Sequence, residues 1–179
     1  YESALGYLRI GNEVMGEDAW KEDYQLAWKL NNELQQAFYL AGDWKNADTW
    51  SSILLKRSKT PIEKGLILAS RTRQYSTTQR MKESIQAAHD GLFILGFDFA
   101  SDPGTSDVEQ EVKRIYENLQ GRPISSLINL SEMTDQKAKI ANQLLMEIFP
   151  AAFLSGSGQM FPYLVLKSVN IAMKYGSPV

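Results

Sequence analysis

The sequence predicts an all-α protein of about seven helices that pair into stacked hairpins. Helix starts and stops can be read along most of its 179 residues, and no segment shows the apolar–polar alternation of a half-buried strand. Two segments, 37–47 and 74–85, also share one spacing of aromatic, turn, apolar and small residues. A spacing that recurs in this way indicates an internal repeat of helical hairpins.

The first part of the chain divides into a single helix and a hairpin. A helix at about 2–15 ends at Gly16. A longer helix at about 20–41 ends at Gly42, which suits the left-handed position that closes a helix. A helix at about 44–59 is its partner and completes the first hairpin.

A capping motif begins the second hairpin. Thr60 can cap a helix, a proline follows in the first turn, and Glu63 stands three residues after the cap, where its side chain can bond back. This helix extends to about residue 78. Its partner covers about 80–95 and ends at Gly96.

The next segment, 97–104, is a loop without helical periodicity. Ser106 and Glu109 can form a second capping box, which begins a helix that extends to about residue 120. Gly121 ends that helix.

The last part of the chain contains two further helices. After an apolar–polar connector at 124–133, Thr134 caps a helix that extends to about residue 149. Residues 155–158, with the sequence SGSG, are a flexible turn. A strongly apolar helix at 159–175 follows the turn.

The two hairpins resemble tetratricopeptide repeats. Ala47 and Ser84 are the small residues at which the paired helices cross, and Ala4 holds the same position in the first helix. The resemblance implies an α-solenoid fragment in which 1–96 are hairpin repeats and 97–179 are divergent repeats of the same solenoid.

A second resemblance involves four later segments, whose sequences are LINLSEMTD, IFPAAF, LVLKSVN and YGSP, at 127–135, 148–153, 164–170 and 175–178. They are similar to the helical-repeat region that follows the AAA- or STAND-type ATPase module in large bacterial and fungal multidomain kinases, of serine/threonine kinase and hybrid histidine kinase type. The resemblance implies a non-catalytic segment of a signal-transduction protein. None of that family's catalytic motifs is present in this sequence.

The composition is that of an ordinary globular domain, with 44% hydrophobic and 22% charged residues and a net charge of −2. There is no cysteine, and no apolar run approaches the ~18 residues that span a bilayer. We therefore expect a cytoplasmic protein without a membrane partner. The start at Tyr1, without a methionine, indicates a segment excised from a larger chain.

The residues that usually carry chemistry are scarce. His89 is the only histidine, and with no cysteine a metal site would have only carboxylates left as ligands. The glycines at 156 and 158 are followed by Met160 and Phe161, where a phosphate-binding loop requires lysine and serine or threonine. We expect no catalytic residue, no cofactor and no metal.

A basic segment lies in the middle of an acidic chain. Between residues 56 and 82 there are eight basic side chains and one acid, a net charge of 8 − 1 = +7. Such a segment can be a solvated face paired with neighbouring acidic helices, or a docking patch for an acidic protein, including another domain of the same polypeptide. The basic residues are Lys56, Arg57, Lys59, Lys64, Arg71, Arg73, Arg80 and Lys82.

Nucleic acid is not expected as a partner, because the aromatic residues recur at helical spacing and are assigned to the core instead of alternating with the basic ones. The aromatic residues assigned to the core are Trp20, Tyr24, Trp28, Phe38, Trp44, Trp50, Tyr75, Phe149, Phe153 and Phe161.

The tetratricopeptide resemblance also implies a groove lined by the inner helix of each hairpin. It places Lys29, Asn32, Gln36 and Tyr39 in the groove from the first hairpin and Arg73 from the second. These side chains could hold an acidic peptide by charge-assisted hydrogen bonds. An ordinary solvated groove is the alternative.

Three functions remain open from the sequence. The first is a non-catalytic protein-interaction or regulatory scaffold in a large signalling ATPase or kinase. The second is a small-molecule-sensing helical-repeat domain of a STAND-type regulator. The third is a stand-alone helical adaptor. All three have a binding function and no catalytic one.

Overall fold

The computed structural model describes residues 1–154, 156 and 158–178, and within them the protein is all-α, as predicted. Eight of the helices have seven residues or more, and they correspond to the eight helical segments located in the sequence, where the total was put at about seven. The helices are α1 (Glu2–Met15), α2 (Ala19–Glu22), α3 (Tyr24–Leu40), α4 (Trp44–Arg57), α5 (Pro61–Thr77), α6 (Met81–Leu95), α7 (Thr105–Leu119), α8 (Gln136–Glu147), α9 (Phe149–Leu154) and α10 (Met160–Tyr175), with a 3₁₀ helix at Ile124–Asn129.

Several predicted helix ends are confirmed by their hydrogen bonds and backbone angles. The Thr60 hydroxyl accepts a hydrogen bond from the Glu63 amide at 3.1 Å, and the Glu63 carboxylate accepts one from the Thr60 amide at 2.9 Å. This reciprocal pair is the predicted capping box. Gly42 and Gly96, which follow α3 and α6, have φ angles of 80° and 89°, which L-residues rarely adopt.

The long helix predicted at 20–41 is divided at Asp23. This residue leaves the helical conformation, and its carboxylate accepts a hydrogen bond from the Leu26 amide at 3.1 Å. Asp23 is therefore the N-cap of α3, and the turn Ala19–Glu22 before it is a separate short helix.

Two predicted caps are wrong because a neighbouring aspartate takes the role. At the start of α7 the Asp107 carboxylate accepts a hydrogen bond from the Gly104 amide at 2.8 Å, where Ser106 and Glu109 were expected to cap. At the start of α8 Asp135 accepts one from the Ala138 amide at 2.8 Å, and it replaces Thr134. The predicted turn at 155–158 includes Ser155 and Ser157, which lie outside the described residues.

The two predicted hairpins are present as α3–α4 and α5–α6. Ala47 and Ser84 are both fully buried at the helix contacts, as expected for small residues at a crossing. The Ser84 hydroxyl lies 2.7 Å from that of Ser76 and donates to the Thr72 carbonyl at 3.0 Å. Ala4 is exposed, so the extension of this position to α1 is wrong.

The main hydrophobic core lies in the second half of the molecule. α8 packs against α5 and α6, and α10 packs against α7, α8 and α9. Close approach of α6 and α8 depends on Gly91, because a β-carbon there would lie 2.8 Å from Leu144 Cδ1. Leu144 is fully buried in this core together with Leu145 and Leu164.

A short extended contact ties the end of α10 to the connector before α8. The Met133 amide donates to the Ser177 carbonyl at 2.9 Å, and the Ser177 amide donates to the Ser131 carbonyl at 2.7 Å. Gly176 allows this turn with a φ of 106°, and a β-carbon there would lie 2.5 Å from the Ser131 carbonyl oxygen. We refer to this contact as the C-terminal tether.

The predicted aromatic core is only partly correct. Trp28, Phe38 and Tyr75 are buried, but Trp44 is 55% exposed, and Phe153 and Phe161 are exposed as well. Helical spacing locates these residues on a face of their helix, but it cannot show whether another element covers that face. Among the described residues, no helix is both long enough and apolar enough to cross a bilayer.

Replacement of Ala47 by tryptophan should lower the free energy of unfolding by about 2 kcal/mol, because the crossing of α3 and α4 has no room for an indole. The measurement is chemical denaturation followed by circular dichroism. Ala4→Trp, at the exposed position in α1, is the control and should change stability little. Equal stability of the two variants would show that α3 and α4 do not cross closely at Ala47.

Candidate functional site

The residues predicted to line a groove on α3 are all accessible to some degree. Lys29 is exposed, and Asn32 and Gln36 are half-buried along the same side of the helix. The Tyr39 hydroxyl is hydrogen-bonded to Thr77 Oγ1 and links α3 to the end of α5. Lys29 lies ten residues before Tyr39, about 15 Å along the helix axis.

Arg73, the groove residue predicted from α5, is paired within the protein. Its Nε and Nη2 atoms donate to Glu147 Oε1, at the end of α8, at 2.8 and 2.5 Å. The hydrogen bonds to Glu147 raise the pKa of Arg73, although burial opposes the shift. The structure therefore brings Arg73 close to Tyr39 and Thr77 but uses its charge to join α5 to α8.

The basic segment separates into paired arginines and free lysines. Each of its arginines pairs with an acid elsewhere in the fold. Arg57 pairs with Glu17 after α1, Arg71 and Arg80 pair with Asp48 in α4, and Arg73 pairs with Glu147 at the end of α8. Within the described residues, none of its lysines has an ion-pair partner. They are Lys56, Lys59, Lys64 and Lys82, of which Lys59 lies 3.9 Å above the Tyr24 ring.

Asp48 joins three helices. Its carboxylate accepts a hydrogen bond from Arg80 Nη1 at 2.7 Å, and the Arg71 Nε atom lies 3.9 Å away. Arg71 Nε also donates to the Tyr75 hydroxyl at 2.8 Å, and the Arg80 guanidinium lies 4.1 Å above the Tyr75 ring. Burial of the ring raises the pKa of Tyr75. This network fixes α4, α5 and α6 at one end.

Beyond that network the surface opens into a groove with α5 as its floor and α4 and α6 as its walls. Two cavities of about 220 and 350 Å³ follow each other along α5 and share Leu68 and Asp90. Leu55 on α4 and Phe93 on α6 line the larger one, which also receives Lys64. We call this surface the α5 groove.

A separate cavity of about 320 Å³ lies between α7, α10 and the loop after α6, away from the α5 groove. Its wall carries Asp98 from the loop, Glu111 and Arg114 from α7, and Lys167 from α10. α7 and α10 pack directly on each other, so their facing side chains meet at this wall.

These four charges form a closed ring of alternating sign. Lys167 Nζ lies 2.9 Å from Asp98 Oδ2 and 3.1 Å from Glu111 Oε1. Arg114 Nη1 lies 2.7 Å from Glu111 Oε1 and 3.0 Å from Asp98 Oδ2. Since each charge has two neighbours of opposite sign, the ring is neutral as a whole. We call it the charge ring.

Two members of the charge ring are almost inaccessible to solvent. Glu111 is 2% and Lys167 4% exposed, and Asn170 Nδ2 donates to the free oxygen of Glu111 at 2.8 Å. Burial raises the pKa of Asp98, but the hydrogen bonds from Lys167 and Arg114 outweigh it and hold that pKa below its usual range. Such pairing is what a charge removed from water requires.

The charge ring was not predicted from the sequence. One signal was present: Lys167 interrupts the apolar sequence LVLKSVN and falls on the same side of its helix as Leu164 and Ile171. A lysine on the apolar face of a helix needs a buried acid as partner. Its partner Glu111 is 56 residues earlier in the chain, so the spacing of residues in the sequence could not reveal it.

No set of three acidic or histidine side chains close enough to hold a metal ion occurs in the part of the chain that the structure describes. The α5 groove and the cavity beside the charge ring are not the only openings in the described residues, because a further cavity of about 320 Å³ is lined by Tyr39, Trp44 and Thr77. Comparison with known proteins gave no match to a family model, to a curated protein or to a solved structure.

Proposed function

We propose that this chain is a non-catalytic protein-interaction module and that the α5 groove binds an amphipathic helix of an acidic partner protein. The observation that carries the proposal is the combination of apolar walls and an unpaired lysine in one groove. Helix-in-groove recognition requires an apolar trough that is open to solvent and a polar group that sets the orientation.

The dimensions of the α5 groove suit a short helix. The lining residues of α5 extend from Lys64 to Tyr75, eleven residues or about 16 Å along the axis. This length corresponds to about three turns of a bound helix. Phe93 at the rim is 76% exposed, so a partner would remove a large aromatic surface from water.

The lining of the α5 groove contains two bases, Lys64 and Arg71, and two acids, Glu83 and Asp90, so it is neutral overall. Glu83 pairs with Arg80 and Arg71 with Asp48, whereas Lys64, at the more apolar end, has no ion-pair partner among the described residues. Lys64 is therefore the group that favours an acidic side chain on the partner. Lys56 and Lys59 precede Lys64 in the chain and add positive charge nearby. A carboxylate on the bound helix would pair with Lys64 and fix the direction of the helix.

We further propose that the module belongs to a large cytoplasmic signalling ATPase or kinase, in which the partner helix can come from another domain of the same polypeptide. The support for this context is the resemblance of residues 127–135 and of the three later segments to the repeat region of such proteins. In that setting the α5 groove would relay a change in the ATPase module by binding or releasing a helix.

Selection of 16-residue peptides from a random displayed library tests the groove. The selected peptides should share apolar residues at i and i+4 with an adjacent aspartate or glutamate. Phe93→Ala and Lys64→Glu should each weaken their binding at least tenfold, measured by fluorescence anisotropy, because the exposed Phe93 and the half-buried Lys64 both line the groove.

Two variants serve as controls for that experiment. Phe153→Ala removes an exposed phenylalanine elsewhere and should leave binding unchanged. Lys29→Ala tests the groove predicted on α3 and should also have no effect. Peptides that bind Phe93→Ala and Lys64→Glu as well as they bind the unaltered protein would overturn the proposal.

A further inference from the structure

Asp98 is the most exposed member of the charge ring. Its side chain is 72% exposed and comes from the loop after α6, whereas Glu111 and Lys167 lie on helices and are almost completely buried. A single oxygen, Oδ2, accepts from both Lys167 and Arg114. An external carboxylate reaching the same two donors would satisfy them equally well.

Removal of Asp98 from the charge ring would leave the cavity wall positive. Lys167 and Arg114 would then share Glu111 as their only acid in the ring. Two positive charges would face one negative charge, and one of the two is the buried Lys167. A buried charge without a partner is costly, and the cavity would therefore select an anion. Lys174, at the rim, has no ion-pair partner among the described residues and adds to this preference, while Glu117, the remaining acid of the lining, pairs with Lys113 at 3.8 Å.

The rest of the cavity accepts an apolar group. Phe97, Ile171 and Tyr175 also line the cavity, and the rings of Phe97 and Tyr175 pack edge to face at 5.8 Å. The volume of about 320 Å³ is near the lower limit of small-molecule sites. A cavity lined by both charged and apolar side chains suits a small molecule with one anionic group and an apolar skeleton.

We infer that this cavity binds a small organic carboxylate, whose carboxylate displaces Asp98 from Lys167 and Arg114 and whose carbon skeleton packs against Phe97 and Tyr175. This site is separate from the α5 groove and does not depend on the proposed docking function. Ligand binding would release the exposed Asp98 side chain, while Phe97, Phe99 and Ala100 of the same loop stay packed on the main core. Occupancy of the cavity would therefore change the charged surface of the protein.

Titration calorimetry with phenylacetate tests the inference, because this probe has one carboxylate and one aromatic ring. The protein should bind it with a dissociation constant in the millimolar range, since Asp98 competes for the same donors. Asp98→Asn removes the competing charge and should tighten binding at least tenfold. Phenylacetamide, the neutral analogue, should not bind either protein.

Matched controls locate the effect in the cavity. Asp102→Asn changes an acid of the same loop outside the charge ring and should bind phenylacetate like the unaltered protein. Arg114→Gln added to Asp98→Asn should abolish the gain. Amide chemical shifts should change at Phe97 and Ile171 and remain constant at Leu68, in the α5 groove.

Circular dichroism and thermal unfolding of each variant establish that it is folded before it is titrated. Absence of binding to the unaltered protein, or equal affinity of the unaltered protein and Asp98→Asn, would overturn the inference. Tighter binding of benzylphosphonate than of phenylacetate would overturn the assignment to carboxylates.

Discussion

Replacement of Lys167 by methionine should lower the free energy of unfolding by about 3 kcal/mol, because it leaves the buried Glu111 carboxylate without its buried cation. Arg114 and Asn170 still donate to Glu111 in this variant, which places the loss at the lower end of the range for a broken buried ion pair. Methionine has nearly the same length as the lysine stem, so packing changes little. Chemical denaturation at neutral pH gives the measurement.

Two further variants isolate the charge. Lys174→Met makes the same change on an exposed part of α10 and should alter stability by less than about 0.5 kcal/mol. Glu111→Leu combined with Lys167→Met removes both buried charges and leaves Arg114 paired with Asp98, so most of the lost stability should return. A Lys167→Met protein as stable as Lys174→Met would show that the pair is not buried in solution.

Gly91→Val should destabilise the protein by about 3 kcal/mol. A β-carbon at this position would lie 2.8 Å from Leu144 Cδ1 and 3.2 Å from Leu68 Cβ, and both leucines are buried in the main core. The neighbours cannot move apart without loss of packing between α6, α8 and α5. Gly91→Ala should also destabilise the protein, but by less, although alanine has a better helix propensity than glycine.

Gly6→Ala is the matched control for Gly91→Ala. Gly6 lies within α1, and no atom outside its own helix segment approaches within 4 Å of where its β-carbon would be. The same substitution should therefore stabilise the protein there, by about 0.5–1 kcal/mol, because alanine favours the helix. Thermal and chemical unfolding should show that the free energy of unfolding falls in Gly91→Ala and rises in Gly6→Ala. Stabilisation by both would contradict the close packing of α6 on α8.

The sequence predicted those parts of the fold that depend on residues near one another in the chain. The capping box of Thr60 and Glu63 and the left-handed glycines after α3 and α6 are local, and the structure confirms them. The N-cap of α8 was predicted one residue too early. Thr134 and Asp135 can both cap a helix, and which of them does so depends on the backbone conformation before the helix, which the sequence does not give.

Contacts between residues far apart in the chain could not be predicted, because the spacing of residues in the sequence does not show which helices pack together. For the basic segment the sequence left two alternatives open, pairing with neighbouring acidic helices or a docking patch. In the structure Glu17, Asp48 and Glu147 pair with its arginines, and its lysines have no ion-pair partner among the described residues. Trp44 has the spacing of a core residue, yet it is exposed. The charge ring requires the contact of α7 with α10, and nothing in either helix alone specifies that contact.

The C-terminal tether makes residues 131–177 a closed loop whose two ends are joined by two hydrogen bonds. α8, α9 and α10 all lie inside this loop, so α10 can separate from the core only if these two hydrogen bonds break or the connector before α8 moves with it. Opening of α10 would also pull Lys167 away from Glu111 and expose both charges. We therefore expect α8, α9 and α10 to unfold together.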